Sequence, residues 1–213
     1  MHFLILFCLF LGWSYILSII ADFLIHNKIK LIIPNALQSI LYLACTCSFL
    51  SLSLTSFADY PIFFVLSSAL WITIFTDIEH MLISRITSLY LIPVGILASY
   101  YDLLTIDPTE SAFAAIFVSS ILFAVNFIFR KLKGFDGLGQ GDIELMGCIA
   151  AWLGFIGAWF TLLVGSTIGV LSCILYMLTT RKNLFMIPFG PFLSLGSLVF
   201  MIFNKTIINN LTF

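Results

Sequence analysis

The stretch SAFAAIFVSSILFAVNFIF, residues 111–129, carries no charge and stops at Arg130-Lys-Leu-Lys133. An α-helix rises about 1.5 Å per residue, so about 20 apolar residues cross the roughly 30 Å hydrocarbon layer of a bilayer. The spacing predicts a membrane-spanning helix with its basic end among the headgroups. Seven further apolar segments follow the same pattern, so that eight are predicted at 3–25, 36–57, 61–77, 84–101, 111–129, 142–155, 157–179 and 187–203. The sixth is short and the third and fourth barely long enough, which leaves six or seven full spans open. The breaks fall at ordinary punctuation: Pro34, Asn35, Pro61, Asp107-Pro108 and the glycine-rich 134–141 stretch.

Composition agrees with that reading. The chain has 213 residues, 62% hydrophobic and 9% charged, with a mean hydropathy of +1.16. Soluble domains carry roughly 25% charged residues. The expected fold class is all-α: a polytopic membrane helical bundle of about eight transmembrane helices, forming one domain over residues 1–213. Unbroken apolar runs, rather than runs alternating with a period of two, argue against a β-barrel. A net charge of -1 with no basic run gives no sign of a nucleic-acid partner. Cys8, Cys45, Cys47, Cys148 and Cys173 all lie inside apolar runs without a C-x-x-C pair, and read as small hydrophobes. Only His2 precedes Phe3, and the run to Ile25 exceeds a signal-peptide core, so it is expected to be a retained anchor.

Lys and Arg are retained on the cytoplasmic side of membranes. With eight spans, one set of loops holds Lys28, Lys30, Arg85, Arg130, Lys131, Lys133, Arg181 and Lys182, and the other holds only Lys205. The first set is expected to face the cytoplasm. The acidic loop with Asp102, Asp107 and Glu110 then falls outside. The same count places Asp77, closing the third segment, and Asp142, opening the sixth, on the cytoplasmic face.

The acidic residues sort by position. Asp59, Asp102, Asp107 and Glu110 read as solvated loop residues, and Asp136 as a partner of the Arg130–Lys133 cluster. Asp22, near the cytoplasmic end of the first span, is expected to snorkel or to pair with Lys28. Asp77 and Asp142 are the candidate catalytic residues. Aspartyl hydrolysis needs two neighbouring carboxyl groups, one ionised to activate water and one protonated to polarise the carbonyl. Helix dipoles would make the two unequal, with Asp142 starting as base and Asp77 as proton donor. Gly139 and Gly141 permit a tight turn and close backbone approach. Glu144 should face away from Asp142, since two helical residues turn about 200°. No metal and no cofactor are expected.

Three motifs carry a resemblance to the type IV prepilin peptidases. Gly137-Leu-Gly-Gln-Gly-Asp-Ile-Glu-Leu-Met146 resembles that family's G-x-G-D segment. Thr76-Asp-Ile-Glu-His-Met-Leu-Ile83 is similar to its first aspartate motif, and Ile187-Pro-Phe-Gly-Pro-Phe192 to its C-terminal I-P-F-G-P element. The resemblance covers roughly residues 70–205. It implies an aspartyl endopeptidase of the bacterial inner membrane, multi-pass, with its active site facing the cytoplasm. Such an enzyme removes the short basic leader of prepilins or pseudopilins, after a glycine at the edge of their first apolar helix. Asp77 and Asp142 carry over as the catalytic pair, and Gly139 and Gly141 as backbone-shaping residues. Glu79, Glu144, Pro188, Gly190 and Pro191 are the candidates for substrate binding or site shaping. The implied partners are the substrate helices and membrane lipid, with the oligomeric state left open.

The chain also departs from the family. Ile83-Ser84-Arg85 stands where members often have I-P-D/N, and Glu144 where many have Lys. Residues 26–34 occupy the place of the paired-cysteine insert linked to N-methylation, so methylation is not expected. A catalytically impaired assembly scaffold and a small proton- or ion-coupled transporter remain as alternatives. The transporter would call for midplane carboxylates and an internal repeat, and neither is visible.

Overall fold

The computed structural model describes residues 2–25, 35–54, 61–180 and 188–211. Lys28, Lys30, Pro34, Asp59, Arg181, Lys182 and Ile187 lie outside the described residues, as does the side chain of Lys205. Seven helices are described: α1 (His2–Ile25), α2 (Asn35–Leu54), α3 (Phe63–His80), α4 (Leu91–Tyr100), α5 (Pro108–Lys133), α6 (Gln140–Thr180) and α7 (Gly190–Leu211). The described residues hold no strand, and the protein is an all-α polytopic membrane bundle. By length and apolar composition, Ile5–Ile25, Leu37–Leu54, Pro108–Lys133 and Gln140–Thr179 are each long enough to cross a membrane.

Gly154 breaks α6, with φ 69° and ψ -171°, a conformation essentially reserved for glycine. The two halves run in opposite directions. Asp142, in the first turn, interacts with Asp77, which also contacts Gly190 at the start of α7. Past the break, Gly157 lies against Phe200 and Gly165 against Phe192, so the second half runs antiparallel to α7 and back toward that same end. Counting the halves separately gives eight helical segments among the described residues, with the break where the sixth and seventh predicted segments meet.

The fourth segment differs from expectation. It was predicted over 84–101, but regular helix covers only Leu91–Tyr100. Pro93 supplies no N–H to the Leu89 carbonyl four residues back, and its ring crowds that carbonyl. Leu89 O instead accepts the Ile92 N–H at 3.3 Å, and Tyr90 N–H reaches back five residues to Arg85 O at 3.0 Å. Residues 85–90 therefore form irregular turns.

α3 is the central helix, packed against α1, α2 and α7, while α7 also packs along α6 and α5 lies against α4 and α6. Trp71, Leu66, Leu70 and Ile74 of α3 are buried, as are Leu145, Met146, Ile149 and Trp152 of α6. The buried indole N–H groups are satisfied: Trp71 donates to Ser48 Oγ at 2.7 Å and Trp152 to the Leu91 carbonyl at 2.9 Å. The outer surface is apolar, with Phe113, Ile116, Phe123, Leu163, Leu175 and Leu178 all exposed. A soluble monomer rarely exposes so much apolar area, whereas lipid solvates it. All five cysteines are free.

The bundle has two distinct ends. At one, Ser111 Oγ donates to the Ala151 carbonyl at 2.6 Å and Ser99 Oγ to the Ile106 carbonyl, tying the 101–110 loop to the Gly154 break. The other end holds the C-terminal ends of α3 and α5, the start of α6 and the start of α7. Arg85, Arg130, Lys131 and Lys133 belong to this end, together with Asp77 and Asp142.

Candidate active site

Three pieces of chain build the site: the last turn of α3, the first turn of α6 and the first turn of α7. α3 ends at His80 because Met81 takes a left-handed conformation, φ 52°, and its N–H bonds the Asp77 carbonyl at 2.9 Å. This is the αL cap, here without the glycine that usually makes it. Asp77 thus sits in the closing turn of the most buried helix, its residue only 5% exposed.

Asp142 stands in the opening turn of α6. The Gly139 carbonyl accepts the Asp142 N–H at 3.1 Å and the Ile143 N–H at 3.3 Å, which starts the helix. The Asp142 carboxylate reaches back to the Gly139 N–H, the reciprocal half of a capping box. A Cβ on residue 139 would lie 2.9 Å from Asp142 Oδ2, so the backbone must be bare there. The Asp142 residue is 9% exposed, and its Oδ1 has no hydrogen-bond partner among the described residues.

The start of α7 joins the two. Phe189 O accepts the N–H groups of Phe192 at 3.1 Å and Leu193 at 3.2 Å, which leaves the Gly190 N–H free of the helix ladder. Pro191 has no N–H to offer. The Gly190 N–H points at the Asp77 carboxylate and donates to Oδ2 at 3.0 Å. A Cβ on Gly190 would lie 2.7 Å from that oxygen and 3.0 Å from Ile83 Cδ1. On its other side Ile83 meets Gly141, where a Cβ would come within 2.9 Å of Ile83 Cβ. Ile83 is therefore a wedge between the first turns of α6 and α7, and Asp77 and Asp142 lie close enough for their charges to interact.

The structure brings Asp77, Asp142, Gly139, Gly141 and Gly190 into one cluster, with Pro188 and Pro191 flanking it. Glu144 lies one turn along α6, where Gln140 Nε2 donates to its Oε1 at 3.2 Å and Arg85 Nε approaches to 3.8 Å. Glu79 does not join the pair. It is turned toward α1, where Asp22 lies nearby. The dipole asymmetry expected between the two aspartates also changes. Asp77 closes α3 but faces the N-terminal pole of α7, so each carboxylate receives one backbone N–H from a helix start.

Asn126 was missed from sequence. Its Oδ1 accepts the N–H groups of Gly137 at 2.9 Å and Leu138 at 3.0 Å, and its Nδ2 donates to Asp136 Oδ1 at 3.3 Å. Asp136 also pairs with Arg130 at 3.7 Å, as its place beside the basic cluster suggested. Asn126 thereby anchors the loop that leads into Gly139. A lone amide near the basic end of an apolar span was the available signal.

Two carboxyl groups in one partly buried site can hold a single proton between them. That arrangement suits attack of water on a polarised carbonyl. The type IV leader peptidase family matches residues 64–178, a stretch that contains both aspartates. The chain is 29% identical over 132 residues to a prepilin leader peptidase/N-methyltransferase of Pseudomonas aeruginosa, covering 62% of this chain and 45% of that protein. The protein of the same name from Legionella pneumophila is 30% identical over 146 residues, covering 66% and 50%. That from Dichelobacter nodosus is 31% identical over 128 residues, covering 60% and 43%. The chain thus spans about half the length of the curated relatives it matches. No solved structure matches. With its matched segment covering more than half of the chain, from within α3 to the end of α6, this protein belongs to the type IV leader peptidase family.

Proposed function

We propose that the protein is an aspartyl endopeptidase of the bacterial inner membrane that removes the leader from prepilins or pseudopilins. The observation that carries this reading is the meeting of Asp77 and Asp142 at the start of α7, in a member of a leader peptidase family. The chain acts as one peptidase domain over residues 1–213. The bundle end with Arg85, Arg130, Lys131 and Lys133 faces the cytoplasm, in line with the retention of basic residues on that side.

In this reading one carboxyl group starts ionised and the other protonated. The ionised carboxylate takes a proton from water as the water oxygen attacks the scissile carbonyl. The protonated partner gives its proton to the carbonyl oxygen, forming a neutral gem-diol. As the gem-diol collapses, one of its hydroxyls returns its proton to the second carboxylate, the C–N bond breaks, and the departing amine takes up the proton held by the first carboxyl, which restores the starting state. The backbone N–H groups of Gly190 and Gly139 hold the carboxylates in register through these transfers. Cleavage follows a glycine at the cytoplasmic edge of the substrate's first apolar helix, which stays in the lipid while its polar leader enters the site. The reading covers leader cleavage and not N-methylation.

Co-expression with a candidate prepilin tests it. Wild type should convert the precursor to the mature form, seen as a mobility shift and a new N-terminus. Asp77→Ala and Asp142→Ala should leave it uncut. Processing that survives in either variant would sink the dyad.

A further inference from the structure

Asp22, Glu79 and His80 form a second polar cluster at the same end of the bundle. Asp22 lies in the last turn of α1 as described, and Glu79 and His80 are the last two residues of α3. One ligand-capable atom from each falls within 4.8 Å of the other two. The side chains of Glu79 and His80 are only 8% and 6% exposed, with Glu79 Oε2 3.9 Å from His80 Nε2. Asp22 is exposed, so the cluster opens to solvent on one edge. Glu79 sits two residues from Asp77, about 200° around the helix, so the cluster is separate from the aspartate pair.

The chemistry favours a cation. Two carboxylates meet beside the C-terminal pole of α3, where the helix dipole is negative and positive charge is stabilised. Two carboxylate oxygens and an imidazole nitrogen are a donor set for first-row divalent ions, whereas Ca²⁺ and Mg²⁺ take all-oxygen shells. Zinc with three protein ligands and one water is a common open site, with ligands about 2.0–2.2 Å from the metal. Tetrahedral ligands at that radius stand roughly 3.4 Å apart. The 3.9 Å between Glu79 and His80 is a small rotamer adjustment from that spacing.

We propose that Asp22, Glu79 and His80 bind one divalent transition-metal ion and that this ion ties the end of α1 to the end of α3. Water completes the coordination on the Asp22 side. Read from sequence, no metal was expected, because Asp22 and Glu79 come together only when α1 packs against α3.

The test uses the full chain purified in detergent, stripped with chelator and then titrated with ZnCl₂ alone. Wild type should retain about one zinc per chain after desalting and melt at a higher temperature with zinc than without. CaCl₂ and MgCl₂ at the same concentration should not raise the melting temperature. Asp22→Asn and His80→Gln should weaken zinc binding by at least the roughly tenfold that loss of even an outer partner costs. Wild type that retains no zinc, variants that bind it as tightly as wild type, or equal stabilisation by Ca²⁺ or Mg²⁺ would each overturn the proposal. Should His80→Gln fail to fold, Asp22→Asn decides, because residue 22 is exposed.

Discussion

Arg85 Nε lies 3.8 Å from Glu144 Oε1, an ion pair between the chain just after α3 and the start of α6. The turn after α3 carries the positive charge and the first turns of α6 the negative one. The Arg85 side chain is 66% exposed and that of Glu144 13%. Exposed pairs contribute about 0.2–1 kcal/mol, so the pair's weight lies in positioning more than in stability. Arg85→Glu and Glu144→Arg should each lower leader cleavage by roughly two- to fivefold, about the rate equivalent of that energy. The double variant, with the charges exchanged, should recover to near wild type. A double variant no better than the worse single one would show that the pair does not couple.

The aspartates themselves admit a sharper test than deletion. Asp77→Asn and Asp142→Asn keep shape and polarity but remove the acid–base function. Each should reduce cleavage by roughly a thousandfold, within the range general acid–base groups supply. Melting temperatures in detergent should stay close to wild type. A variant with substantial residual cleavage would remove that residue from the proposed pair.

Gly190→Ala places a methyl group 2.7 Å from Asp77 Oδ2, with Ile83 blocking retreat on the other side. The carboxylate must move, and displacement of a reacting group by about 1 Å costs on the order of a hundredfold in rate. Cleavage should fall by about that factor while the helices still form. Gly12→Ala is the control, since a Cβ there meets nothing within 4 Å.

Asn126 acts at a distance from the reacting atoms. Asn126→Ala removes the acceptor for two loop N–H groups that are not buried, and should cost about 0.5–1.5 kcal/mol in stability. Its expected signature is a drop in kcat with little change in KM, because the loop sets where Asp142 stands. Unchanged kinetics in a destabilised variant would restrict Asn126 to holding the fold.

Gly154→Ala probes the reversal of α6. The backbone there is open to glycine alone, and a Cβ would approach Glu110 Oε1 to 2.8 Å. Strain of this kind costs about 1–3 kcal/mol. The variant should melt several degrees lower, and an unchanged melting temperature would contradict the geometry.

Much of this was legible in the residues, and the reasons for the rest are physical. Apolar length gave the segments, and the break between the sixth and seventh fell where Gly154 reverses the chain. Arg85, Arg130, Lys131 and Lys133 fall at the end that holds Asp77 and Asp142, and Lys205 of α7 lies away from it. The fourth segment was drawn too long because Pro93 disrupts hydrogen bonds upstream of itself, a local effect that hydropathy does not register. Contacts between distant pieces of chain were out of reach. The Gly190 N–H finds a carboxylate 113 residues earlier. Ile83 stands in a motif that gives no sign of its place between two helix starts. Asp22 gave no hint of Glu79 and His80, because only packing sets them side by side.

The place of α7 bears on how the protein is made. α3 and α6 leave the ribosome before α7, yet α7 packs on both and supplies the N–H that Asp77 accepts. A nascent chain halted before Gly190 would hold both aspartates but lack the element that fastens one of them. Activity should therefore arise as a late event in biosynthesis, withheld from unfinished chains in the membrane.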